Sequence, residues 1–194
     1  MNLLVLGPQG SGKGTQAARL SADHGIPHVA TGDMFRTAIA ARTELGRRVE
    51  PILASGELVP DELTVALIRE RLSQPDARDG FVLDGFPRTL EQAEELDAML
   101  AEIGRSLDAV LFFDIPDEVA VERLVIRAEQ EGREDDQPEV IARRLAIYHE
   151  LTEPVVERYR ATGTLVPLHA SRTVGEVAAE IAEALELLGE GAAA

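Results

Sequence analysis

Apolar positions along the chain follow two rhythms. Short continuous runs at residues 2–6, 27–30, 80–84, 109–114 and 164–168 read as strands buried on both faces. Longer stretches with apolar residues three and four apart, at 14–22, 61–72, 90–103, 117–130, 139–160 and 174–188, read as amphipathic helices. Their alternation predicts an α/β fold in which a five-stranded parallel sheet is flanked by crossover helices on both faces. Two stretches interrupt the alternation without adding a strand: 31–59, helical and rich in Arg and Glu, and the polar run "EQEGREDDQPE" at 129–139. Both are expected to be small mobile appendages on a rigid sheet. The last six residues, "GEGAAA" at 189–194, are expected to form a frayed, flexible tail. The 194 residues contain no internal repeat and no low-complexity linker, so a single domain over 1–194 is expected.

Composition removes several classes of function. The chain has no cysteine, and its four histidines (His24, His28, His149, His169) lack the spacing of a shared metal face, so no zinc is expected. The formal net charge of −16 repels nucleic acid and anionic membrane surfaces, which leaves small molecules as the expected partners. The apolar run at 2–6 is too short to span a bilayer and runs into glycines rather than a cleavage site, so no membrane partner and a cytoplasmic location are expected.

Basic residues are distributed unevenly. Nineteen are Lys or Arg, and the one lysine, Lys13, sits inside the glycine-rich stretch "GPQGSGKGTQ". Gly7, Gly10, Gly12 and Gly14 permit a strand-to-helix turn tight enough for successive backbone N–H groups to face one anion, helped by the positive end of the following helix. Lys13 then reaches the outer phosphates of a nucleoside triphosphate. The pattern is that of a P-loop, G-x-x-x-x-G-K, with Gly14 where a serine or threonine usually follows the lysine and Thr15 one place later. The bland alternative, a ligand-free glycine turn, fits poorly between a strand and a helix.

A triphosphate site alone leaves several chemistries open. In "FVLDGFPRTLEQA" (81–93) the apolar run into Asp84 has the form of a Walker-B strand, whose carboxylate holds magnesium, commonly through water. Taken alone, Asp84 is as readily a turn cap. Arg88 would face the end of the sheet where ligands bind in open α/β folds. A guanine-selective N-K-x-D cannot be built with a single lysine in the P-loop, which excludes a GTPase.

Five motifs, "GPQGSGKGTQ", "TGDMFR", "GELVPD", "LDGFPRTLEQ" and "GREDD", together resemble the adenylate kinase family in its short-lid form, over essentially the whole chain. The resemblance implies a P-loop fold with a helical monophosphate-binding insertion at 31–59 and a short lid at 129–138. It implies Mg2+-dependent, reversible transfer of the γ-phosphoryl group of ATP to AMP, giving two ADP, in a monomer. By resemblance, the amides of Gly10, Ser11, Gly12, Lys13, Gly14 and Thr15 hold ATP phosphates, Arg123 packs on its adenine and Arg127 contacts its phosphates. On the AMP side, Arg36 and Arg88 grip the phosphate beside the turn at Gly85, while Thr31, the backbone at Val59, and Gln92 meet the adenine. Arg133 and Arg144 close on the transferring group, and Asp135 and Asp136 position them.

Each assignment has an ordinary competitor. Arg123, Arg127, Arg143 and Arg144 lie on glutamate-rich helices, where a solvated i, i+4 partner is the common role. Residues 89–92 fit a capping box, with Gln92 bonding back to the Thr89 amide. The chemistry nonetheless suits the composition. The acceptor phosphate is already ionised, so no catalytic base is needed, and what is needed is cationic relief of repulsion between two polyanions. Two alternatives remain: a UMP/CMP kinase of the same fold, and a nucleotide-binding module without catalysis. Thr31 with Gln92 favours AMP over the pyrimidines, and the intact arginine set argues against loss of catalysis.

Overall fold

Strand β1 (Asn2–Leu6) is buried along its whole length, because strands hydrogen-bond to both its edges and helices cover both its faces. The computed structural model describes residues 1–131 and 136–192. The five strands, β1, β2 (His28–Ala30), β3 (Phe81–Asp84), β4 (Ala109–Asp114) and β5 (Leu165–His169), run parallel in the order β2-β3-β1-β4-β5. The register pairs Val5 with Asp84 and Ala30 with Asp84, so the chain ends of β1, β2 and β3 meet at one edge of the sheet.

Alternation along β1 divides the core in two. Leu4 and Leu6 join Leu83, Phe86, Ile68, Leu96 and Val155 on one face. Leu3 and Val5 join Val82, Phe113, Leu20, Ala120 and Ile181 on the other. The helices that supply these layers are α1 (Lys13–His24), α4 (Asp61–Leu72), α5 (Leu90–Glu102), α6 (Asp117–Glu131), α8 (Glu153–Ala161) and α9 (Val174–Ala192). The stretch predicted as an insertion holds α2 (Thr31–Ala40) and α3 (Glu44–Ala54), which pack on each other around Phe35, Val49 and Val59. It adds no strand.

Strand and helix positions follow the hydrophobic pattern, with two differences. The stretch 139–160 is not one helix: α7 (Pro138–Ile147) leads into a π-turn over Tyr148–Thr152 before α8. Pro154, which lacks an N–H and whose ring crowds the preceding turn, is the local cause. At the other end, α9 continues through Ala192, so 189–192 extend the helix where a frayed tail was expected. Among the described residues no helix is long and apolar enough to cross a membrane. Of the expected lid at 129–138, residues 132–135 lie outside the described residues, and with them Arg133 and Asp135.

Candidate active site

The loop between β1 and α1 is shaped by its glycines. Gly10 has φ +82°, and a Cβ there would lie 2.5 Å from the carbonyl oxygen of Ala120, so neither the conformation nor the space admits a side chain. Gly12, also left-handed, opens α1 with no side-chain cap, leaving the first amides of the helix facing outward. Ser11 is buried beneath this loop. The Lys13 ammonium donates to the Pro8 carbonyl at 2.6 Å and the Ser11 hydroxyl at 3.3 Å. Removal from water holds its pKa down at about 8. Asp84 opposes that shift, and the guanidinium charges of Arg88, Arg144 and Arg127 reinforce it.

Lys13 lies in a cleft of about 560 Å³ that gathers residues from distant parts of the chain: Gly10 and Gly12 from the loop, Gly14 and Thr15 from the first turn of α1, Arg36 from α2, Asp84 at the end of β3 with Gly85 and Arg88 after it, Arg127 from α6 and Arg144 from α7. Burial works to raise the Asp84 carboxyl, but the neighbouring His28 ring and the positive charge of Lys13 outweigh it and hold the group below the usual carboxylate range. His28 Nε2 stands 3.4 Å from Asp84 Oδ2. Arg36 pairs with Asp33, and Arg88 Nε donates to the Gly85 carbonyl at 3.0 Å.

Arg127 and Arg144 are held by one carboxylate. Asp136, whose side chain is fully buried, accepts from Arg127 Nε at 2.6 Å, from Arg127 Nη2 at 2.7 Å and from Arg144 Nη1 at 3.0 Å. The two-pronged grip fixes the Arg127 guanidinium plane on the cleft wall, and the single bond tethers Arg144 beside it.

A smaller pocket adjoins the cleft, lined by Thr31, Leu53, Val59, Gly85, Arg88 and Gln92 among others. Gly85 has φ +80°, and a Cβ there would lie 2.6 Å from the Thr31 hydroxyl, so this glycine lets α2 approach the end of β3. Thr89 caps α5 by accepting from the Gln92 amide at 3.2 Å, as expected. The reciprocal half differs: Gln92 Oε1 accepts from the Arg88 amide at 2.8 Å, one residue ahead of the cap, and Gln92 Nε2 donates to Asp61.

One sequence-predicted residue among those described stands apart from this cluster. Arg123 is absent from the cleft wall and donates to the carbonyls of Ala170 and Ser171 in the β5–α9 connection, at 2.8 and 3.2 Å. Arg133 lies outside the described residues. Sequence reasoning assigned no role to His28, Asp61, Tyr148 or Thr152, although Thr152 donates to the Arg88 carbonyl at 3.0 Å and Tyr148 lines the cleft. A histidine in a three-residue strand and an acid opening a helix carry no local signal that sets them apart.

A glycine loop under a strand–helix turn, a lysine pointing into it, and arginines facing it from three other helices and loops define a P-loop nucleotide phosphotransferase. The model of the adenylate kinase family matches residues 5–164. Adenylate kinases from Caulobacter vibrioides (47% identical, 98% of this chain and 100% of the relative), a Cyanothece species (47%, 96% and 95%) and Kosmotoga olearia (42%, 97% and 100%) match nearly end to end. The chain belongs to the adenylate kinase family. These matches do not favour the UMP/CMP kinase alternative.

Proposed function

We propose that the chain moves the γ-phosphoryl group of ATP to AMP, reversibly and with Mg2+, and that the two lobes of the site divide the substrates. The observation that carries this reading is the convergence of Lys13, Arg36, Arg88, Arg127 and Arg144 on one cleft that adjoins the pocket of Thr31, Val59 and Gln92. The loop amides of residues 10–15 and Lys13 hold the ATP phosphates, with Arg123 positioned toward its base near 170–171. Arg36 and Arg88 take the AMP phosphate, and the smaller pocket takes its adenine.

Each residue acts by binding or orienting. The Lys13 hydrogen bonds to a neutral carbonyl and a hydroxyl give way to stronger charge-assisted bonds when a phosphate oxygen arrives. Arg127, held in plane by Asp136, and Arg144, tethered to the same carboxylate, face the charge that spreads over the moving phosphoryl oxygens. An ionised acceptor phosphate needs no base, and His28, directed at Asp84, is not placed to serve as one. Closure of the 31–59 insertion and of the 129–138 lid over the cleft would exclude water as a competing acceptor.

The residues suit magnesium as an ion that comes with the nucleotide. Among the described residues no group of three or more His, Cys, Asp or Glu gathers, so these residues offer no cage of their own. One carboxylate, Asp84, lies beside the phosphate loop, its Oδ2 3.6 Å from where a Gly14 Cβ would be. A single carboxylate, with phosphate oxygens and water completing the shell, is the donor set this cation takes. When bound it draws charge from the phosphoryl oxygens. Each lobe is complete within one chain, as a monomeric enzyme acting in the cytoplasm would require. ADP formation from ATP with AMP, CMP, UMP or GMP tests the assignment: AMP should lead by at least tenfold in kcat/KM. Equal use of all four would refute the adenine pocket.

A further inference from the structure

Gln92 is 2% exposed, and both ends of its amide are committed. Oε1 accepts from the Arg88 backbone N–H at 2.8 Å, and Nε2 donates to Asp61 Oδ1 at 2.6 Å. Asp61 Oδ2 in turn accepts from the Thr89 hydroxyl at 2.8 Å, and the same hydroxyl oxygen accepts from the Gln92 backbone N–H at 3.2 Å. The loop of bonds has one sense. A carboxylate only accepts and a backbone N–H only donates, so a half-turn of the Gln92 amide would set oxygen against carboxylate and N–H against N–H. At a buried position such a turn leaves two polar pairs unsatisfied at once.

We propose that Asp61, at the first residue of α4, is a positioning residue that sets the purine choice of the monophosphate pocket by fixing the direction of the Gln92 amide. This rests on the reading that the monophosphate base lies against Gln92. With those two bonds in place, the amide has one lone pair on Oε1 and one hydrogen on Nε2 still to offer. Adenine presents an amino donor at C6 beside an acceptor at N1, and each meets its complement. Hypoxanthine and guanine present a carbonyl at C6 beside an N1–H, the reverse pattern, and would meet acceptor with acceptor and donor with donor. A freely turning glutamine would read both kinds of base; the amide tethered to Asp61 reads one.

AMP and IMP differ in this edge, and they supply the test. kcat/KM for each is measured at saturating ATP for the wild type, Asp61→Asn and Gln92→Ala. In Asp61→Asn the new amide can donate or accept, so a turned Gln92 meets one mismatch, against the Arg88 N–H, where the wild type meets two, and the turned amide gains population. The AMP-to-IMP ratio should fall at least tenfold, about 1.4 kcal/mol of discrimination, and the change should sit in the KM of the monophosphates. Gln92→Ala should lower the ratio at least as far. If Gln92→Ala lowers it and Asp61→Asn does not, the role of Asp61 is overturned while the base-pocket reading stands. If neither variant moves the ratio, the base is not read at Gln92 and both ideas fall. Equal loss with AMP and IMP in Asp61→Asn would mean that Asp61 only supports the fold, and would also overturn the proposal. Should Asp61→Asn not fold, Asp61→Ser carries the same comparison, because a hydroxyl also donates or accepts.

Discussion

Lys13 should make the nucleotide-free protein less stable than it would be without it. Its pKa falls from 10.5 to about 8 because the folded loop takes the ammonium out of water and surrounds it with arginines. The folded state therefore binds this proton less tightly than the unfolded chain. Below pH 8 both states hold the proton and folding bears the whole cost; above 10.5 neither holds it and the cost is gone. A displacement of this size corresponds to about 3 kcal/mol. Lys13 as a residue is half-buried, so part of that cost is screened by water and about 1–2 kcal/mol is the expected net. Lys13→Met removes the charge and keeps most of the stem. At pH 7 without nucleotide its Tm should exceed the wild type by about 2–8 °C, while its turnover falls by two or more orders of magnitude. The gain should shrink between pH 8 and 10 as the wild-type lysine loses its proton. Calorimetry across that pH range with a coupled ADP assay reads both quantities. A variant that melts no higher than the wild type at pH 7, or whose gain does not change with pH, would refute the reasoning; so would near-normal turnover.

Two further outcomes follow from the charge pairs. Asp136→Asn leaves Arg127 and Arg144 without their shared buried carboxylate; stability should drop by on the order of 3 kcal/mol, and turnover should fall at least tenfold as Arg127 loses its fixed plane and Arg144 its tether. Thermal melts and steady-state kinetics check this, and a melting point within 2 °C of the wild type, roughly 1 kcal/mol or less, would contradict it. His149 bridges α6 and α8, and hydrogen bonds to Glu153 and to Asp117 raise its pKa above 6.5. Its contribution is complete below pH 6.5 and is lost as pH rises through the raised value, so the stability difference between wild type and His149→Gln should narrow from pH 6 to pH 9 in urea melts. A difference that is flat or widens would show that the bridge does not titrate as argued.

Local rules carry far in this chain. The five strands and the helices that cross over them were legible because burial on both faces imposes continuous apolar runs on strands and a 3.6-residue period on helices, and β4 begins and ends at the residues the pattern gives. The loop of Gly10 and Gly12 around Lys13 was legible for a related reason: cradling an anion demands backbone freedom and a point charge within a few consecutive residues. The break at Tyr148–Thr152 was not, since the apolar period continues across it and only Pro154 hints at the turn. Still less visible were contacts that join positions far apart along the chain. Nothing local distinguishes Asp61 from any acid in a first helical turn, or His28 from any polar residue at a strand start; their roles arise when α4 meets α5 across 31 residues and β2 meets β3. The sequence by itself determined which elements form and where a phosphate can sit. Only the tertiary structure decided which way the Gln92 amide points, that one carboxylate holds Arg127 and Arg144 together, and how far the Lys13 proton is loosened, because each depends on burial and on partners that backbone propensity does not specify.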